Sequence, residues 1–488
     1  MDFFTYLCYS FLSMTDTNNV PVAPRHGYDY ENLDPQNLGS GDPFDYAKGG
    51  ITAQRLPLDN YVKGKKQDPL QIDTAFGRRA WIPALASEVH DVVNATKPTT
   101  ALEQTTQTIN ALRYVERTWY DRSARLIQAI EYGDDERAER LARELNSSLQ
   151  EIYPLPDKNK VLTLISADSS RNEMVADAYS QELEKGSAPT EEAVNLEKKY
   201  EAELSEIAGV IKEMYGEIID ESVPEDSVEV YTPHEVEEIL NQLILKLKEE
   251  DPTVAWGRVG VFLEDGGVVF STKSSDGKVT VNVPSDSNEL NATELRGIIS
   301  HELLWHAARA ANGWEAGKND KQLADILGVG APFYLRFEEA MAIICELAFT
   351  GKIEQIFIDR YIDIAIAAGV LDDKIRTRHE LQEFVFKREL ARKGYSSDEQ
   401  LTVAEQKELR IHVDRIYRGG DGGDENKFVV IFPKDGEYFG GAEPSLQWWQ
   451  SQRAEGKSAS EIFIAARRGK INPMIPGQSE LVPLDKAS

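Results

Sequence analysis

Apolar residues return every three or four positions over long stretches of this 488-residue chain, and the stretch where that rhythm changes to every second position divides it. Over 84–146 the series Val89, Val92, Val93, Leu102, Ile109, Leu112, Val115, Trp119, Leu126, Ile127 and Ile130 has the spacing of one helical face. Within it, 136–149 reads as a separate charged amphipathic helix, and Pro154-Leu155-Pro156 closes the section because proline cannot continue a helical ladder. Helices resume over 170–248, including 191–215 and a segment opened by Thr232-Pro233-His234-Glu235. There Thr232 as N-cap, Pro233 at the first helical position and Glu235 form a capping box. The period then becomes two: 254–262, 267–271 and 278–283 alternate apolar and polar residues. The separators Glu264-Asp265-Gly266-Gly267 and Ser275-Asp276-Gly277 are hairpin signals, so a small antiparallel meander is expected over about 254–283.

After the meander the helical rhythm returns. Asn291, with Glu294 three residues on, is an N-cap for a helix over about 292–312, and further helices are expected over about 334–350, 353–368 and 377–393. Residues 427–440 read as strand, turn and short strand, and Trp448-Trp449 as core of the closing helical segment. Residues 14–80, rich in Asn, Asp, Pro and Gly with little periodicity, read as an irregular tail. The expected organisation is a tail over 1–80, a helical region over 81–165 and a main domain over 166–478, α+β in class and mainly helical.

The 292–312 helix carries the chemistry. In Ile298-Ile299-Ser300-His301-Glu302-Leu303-Leu304-Trp305-His306 two histidines and a glutamate interrupt an apolar run. Zinc favours neutral imidazole and carboxylate donors, and a catalytic site keeps three protein ligands with the fourth position for water. His301 and His306 are candidate ligands, and Glu302 is placed as the general base that takes a proton from water at the metal. The His-Glu-x-x-x-His spacing is one residue longer than the familiar His-Glu-x-x-His. At about 100° per residue, positions i and i+5 diverge by roughly 140° on a regular α-helix. A π-bulge would bring His306 back over His301. A third ligand is offered by Glu338-Glu339 in the 334–350 helix, where paired acids mean either one ligand and one partner of a ligand or merely a solvated N-terminal turn. Glu339 is preferred, since Met341, Ile343, Ile344 and Leu347 after it are apolar and a carboxylate on a buried helix needs a partner. His234, His379 and His412 lack a ligand pattern.

With Arg309, Asn312-Gly313 and Glu338-Glu339-Ala340-Met341-Ala342, this stretch resembles the metallopeptidase family of the microtubule-associated tyrosine carboxypeptidase, whose bacterial relatives are labelled QEGLA-motif proteins. Arg415-Ile416-Tyr417-Arg418-Gly419, Lys434-Asp435-Gly436-Glu437-Tyr438-Phe439-Gly440 and Gly469-Lys470-Ile471 follow in the family's order, so the resemblance covers roughly 170–475. Leu304-Trp305 stands where Gly-Thr is usual, and Ala340-Met341 replaces Gly-Leu. The resemblance implies a zincin-like fold, one Zn2+ and removal of a C-terminal residue from a protein or peptide. Free-carboxylate recognition and oxyanion stabilisation would then draw on Arg415, Arg418, Lys434 and Tyr438, which carry suitable donors. The structural alternative pairs Arg415 and Arg418 with Asp414 or Asp421 and makes Tyr438 a strand residue. Other zinc peptidases, endopeptidase or aminopeptidase, share the helix chemistry. A silent helical scaffold binding a partner through the acidic N-terminal region would have no reason to keep His301, Glu302, His306 and Glu339 together. The meander's edge strand could take an extended peptide by main-chain bonding, or only pack.

Charge narrows the partners. The net charge is −29, with balances of −24 over 1–300 and −5 over 301–488. That argues against nucleic acid or anionic lipid, and leaves the candidate catalytic half approachable by an acidic peptide. No run of eighteen apolar residues predicts a membrane span. The apolar opening 1–13 carries Asp2 where a secretory signal carries a basic residue, so a dispensable leader is expected, with Met14 a second possible start. Cys8 and Cys345 cannot build a disulfide framework, and a cytoplasmic protein is expected.

Overall fold

The computed structural model describes residues 100–103, 105–106, 126, 129–130, 132–182, 196–225, 227, 230–265, 270–287, 289–397, 400–417 and 428–482. The expected tail over 1–80, the opening segment with Cys8, most of the helical run before residue 130 and Arg418 lie outside these. Among the described residues the fold is mainly helical with two small sheets, and no helix is long and apolar enough to cross a membrane.

Local chemistry sets the two helix starts that the sequence predicts. Thr232 caps the helix Pro233–Glu250 and Asn291 caps Ala292–Ile298, each in a complete capping box with Glu235 and Glu294. Thr377 does the same for Arg378–Lys393. The helix Leu335–Thr350, called α1 here, is the centre of the packing. It touches Glu201–Ser222, the histidine helix, Glu437–Gly440 and Ala442–Ala454, and buries Phe337, Ala340, Met341, Ile344 and Cys345. Trp449 is fully buried in the same core, and Trp448 meets Phe337 edge to face. The helix Asp135–Ile152 packs in a smaller core with Tyr334, Leu335, Phe428, Val430 and Phe432.

Two elements differ from the expected pattern. The three strands are Val259–Glu264 (β1), Ser271–Ser275 (β2) and Lys278–Pro284 (β3), and their order is β1-β3-β2, with β1 parallel to β3 and only β2 antiparallel to it. The expected antiparallel meander is therefore half right. The Asp276-Gly277 turn is a two-residue hairpin with both φ positive, as expected, but β1 is not hairpin-paired with β2. Burial explains the order: β3 buries Val279, Val281 and Val283 and takes the centre, whereas Ser271-Thr272-Lys273-Ser274-Ser275 suits an edge. The second departure is at 427–440, where no strand forms among the described residues 428–440. Extended Phe428–Phe432 is bonded instead by the Asn146 side chain, which accepts from Ile431 N and donates to Val429 O. The next residues coil as a 3-10 turn, Pro433–Gly436, and a helical turn, Glu437–Gly440, so Tyr438 is helical.

Candidate metal centre

The histidine helix runs continuously from Ala292 to Ala316, and its middle nine residues, Ile299–Ala307, are π-helical. The amide of Ala308 donates to Leu303 O, five residues back, which is the wider turn the i to i+5 histidine spacing requires. It aligns the two imidazoles, with ring centroids 4.9 Å apart. The π-helical turn is braced against α1: Ser300 Oγ donates to Cys345 O at 2.7 Å and the Trp305 indole to Glu338 O at 2.8 Å. Trp305 is fully buried beside Phe337 and Phe463, so this bulky residue is an anchor for α1.

α1 supplies two acids with different surroundings. Glu339 Oε2 lies 3.4 Å from His306 Nε2, and ligand atoms of His301, His306 and Glu339 all fall within 4.8 Å of one another. Two ligands at about 2.05 Å from a tetrahedral ion lie roughly 3.3 Å apart, which the His306–Glu339 pair already matches, while the widest pair would close by up to about 1.5 Å to hold one. No other such group exists among the described residues. The side chains of His301 and Glu339 keep 12% and 13% of their surface exposed, which leaves the site open on one side.

Each imidazole is backed by its own carboxylate. Glu338 Oε1 takes the His306 Nδ1 proton at 2.7 Å, and Glu346 Oε2 takes that of His301 at 3.0 Å, so both Nε2 atoms are turned outward as ligand atoms. Burial opposes charge on His306, but Glu339 and Glu338 outweigh it and lift its pKa to about 10 in the metal-free chain. Burial opposes ionisation of Glu339 too, and the His306 charge overrides it and lowers its pKa. Glu338, 1% exposed, is held well below the usual carboxylate range, against its burial, by Arg309 and Lys470. Arg309 is fully buried, donates to Glu338 and reaches Ile471 O at 2.6 Å, while Lys470 Nζ stands 3.4 Å from Glu338. Behind Glu346, burial and then the Glu346 charge raise the Glu354 carboxyl to about 7. Glu302 is buried, and its Oε2 accepts from Thr272 Oγ1 of β2 at 2.8 Å.

The remaining candidates divide. Arg415 is committed to Asp435, through Nε at 2.5 Å and Nη2 at 3.0 Å, and not to Asp414; Asp421 lies outside the described residues. Tyr438 stacks on Phe357 at 5.4 Å, and Phe357 stacks in turn on His301 at 6.3 Å. Burial, then the nearby Glu339 charge, raises the Tyr438 phenol. Lys434 lies in the 3-10 turn beside Asp435. His412 pairs with buried Asp363 and His379 with Glu383, both away from any ligand group. The sequence reading missed Glu346, Thr272, Phe357 and Arg360. Glu346 was findable, seven residues after Glu339 on the same helical face; Thr272 depends on strand placement alone. No family model matches the chain, and no curated protein or solved structure is significantly similar to it.

Proposed function

We propose that the protein is a zinc metallopeptidase with a zincin-like catalytic domain, acting as a carboxypeptidase on a protein or peptide C-terminus. The observation that carries this reading is the convergence of His301, His306 and Glu339 with a separate carboxylate behind each imidazole. Structural zinc sites close with four protein ligands; three ligands and an open side suit catalysis. When bound, zinc supplies Lewis-acid polarisation of a carbonyl and acidifies water. Glu302, oriented by Thr272, accepts the proton of the attacking water and returns it to the leaving amine. Glu338 and Glu346 hold the imidazoles in the ligating tautomer. The order of sequence motifs favours the C-terminal specificity of the family the chain resembles.

The test is digestion of a mixed-sequence peptide library by zinc-loaded protein, read by mass spectrometry. Loss of single residues from free C-termini is expected. Glu302→Gln should keep its zinc and lose activity by about 10²- to 10⁴-fold. Internal cuts would replace the carboxypeptidase reading with an endopeptidase, and no cleavage, or full activity of Glu302→Gln, would remove the mechanism.

A further inference from the structure

The buried arginines of this fold have carboxylate partners: Arg309 has Glu338, Arg376 has Asp372, Arg388 has Asp363 and Arg415 has Asp435. Arg360, on the helix Gln355–Ala367, has none. Its guanidinium lies 5.7 Å from the ring centroids of both Phe357 and Tyr438, its Nε is buried without a hydrogen-bond partner, and it forms no hydrogen bond or ion pair among the described residues. A guanidinium cannot shed its charge; the two ring faces attract and orient it, and they satisfy none of its hydrogen-bond donors, which are left to meet an anion. Its surroundings place it at the metal centre. Phe357, the ring it covers, is stacked on the candidate ligand His301, and Arg360 is close enough to Arg415, Asp435 and Glu339 to feel all three charges. Asp435 is engaged with Arg415 by a two-point contact, and the Arg360 guanidinium beside it has no hydrogen-bonded anion among the described residues.

We propose that Arg360 is the specificity-determining receptor for the free α-carboxylate of the substrate, seated on the Phe357–Tyr438 platform one ring away from the metal ligand His301. This rests on the peptidase reading for the identity of the anion. A planar guanidinium fork matches a carboxylate with two parallel hydrogen bonds, and an amide cannot return them. An exopeptidase needs such a charge about one residue from the scissile carbonyl, and the His301–Phe357–Tyr438 stack sets a separation of that order.

Equilibrium dialysis of the full-length chain after chelation, against an N-acetylated tetrapeptide library made both as free acids and as amides, tests this without turnover. The parent should retain acids over amides. Arg360→Leu should bind the acids about 30- to 100-fold more weakly, leave the amides unchanged and reload zinc fully. Its unfolding midpoint should stay within a few degrees of the parent's, because no hydrogen bond or ion pair is lost; Arg360→Lys should recover part of the acid preference. Equal retention of acids and amides by the parent, unchanged acid binding in Arg360→Leu, or a midpoint lowered by several degrees would overturn the proposal. Acid preference that depends on Arg360 in a protein without hydrolytic activity would uphold the receptor and remove the peptidase reading.

Discussion

Glu338 and Glu339 are neighbours on one helix, and their substitution should separate folding from metal binding. Glu338→Gln removes the carboxylate that neutralises Arg309, which is fully buried, and that also meets His306 and Lys470. Arginine cannot deprotonate, so the orphaned charge stays buried, and breaking such a pair costs about 3–5 kcal/mol. Glu339→Gln at pH 8 is milder. The partner it leaves, His306, remains bonded to Glu338 and can lose its proton, so the cost to the metal-free chain is bounded at about 1 kcal/mol. The ranking reverses for metal: Glu339 contributes a ligand atom, whereas Glu338 orients one. Urea unfolding at pH 8 with excess chelator should place the Glu338→Gln midpoint more than about 1 M below the parent, taking a slope of about 3 kcal/mol per M, and Glu339→Gln within about 0.4 M. Metal analysis of the same variants should find Glu339→Gln depleted more deeply than Glu338→Gln. If Glu339→Gln is the less stable of the two, or binds metal better, the assignment of ligand and brace is wrong.

Two further tests follow from the site and its surroundings. Glu346→Gln should weaken zinc affinity about 10- to 100-fold in a chelator competition titration while His301 stays in place, and unchanged affinity would disconnect Glu346 from the ligand. Glu437 is buried with Oε2 lacking a hydrogen-bond partner and Arg336 Nε 3.6 Å away, and burial raises its carboxyl to about 7 despite Arg336. Its folded pKa lies above the unfolded value of about 4.3, so its contribution is complete below pH 4.3 and is lost as pH rises through 7. Glu437→Gln should therefore gain stability relative to the parent between pH 5 and 8, by up to about 3 kcal/mol, and a constant difference across that range would refute the shift.

What the sequence disclosed followed the range of the interactions. Helix starts at Thr232 and Asn291 depend on residues three positions apart, and the π-turn at His301–His306 was implied by a spacing that an α-helix cannot reconcile with one ion. The ligand role of Glu339 over Glu338 was weighed from flanking polarity, and the structure adds the reason for two acids: Arg309 and Lys470, distant in sequence, draw Glu338 behind His306. Strand order was not legible, because alternation reports which face is buried and not which strand is the neighbour. Phe428–Phe432 looked like a strand since its residues favour extended backbone, yet Asn146, far upstream, bonds part of it. Arg360 gave no signal, as nothing local distinguishes an arginine that lacks an anion from one that has found it.

The most direct measurement is zinc stoichiometry after loading and exhaustive dialysis of the parent, His301→Ala, His306→Ala and Glu302→Gln. One equivalent is predicted in the parent and in Glu302→Gln, and under a tenth of an equivalent in either histidine variant, each still folded by circular dichroism. A parent without stoichiometric zinc, or histidine variants that both retain a full equivalent, would contradict a metal centre at His301, His306 and Glu339.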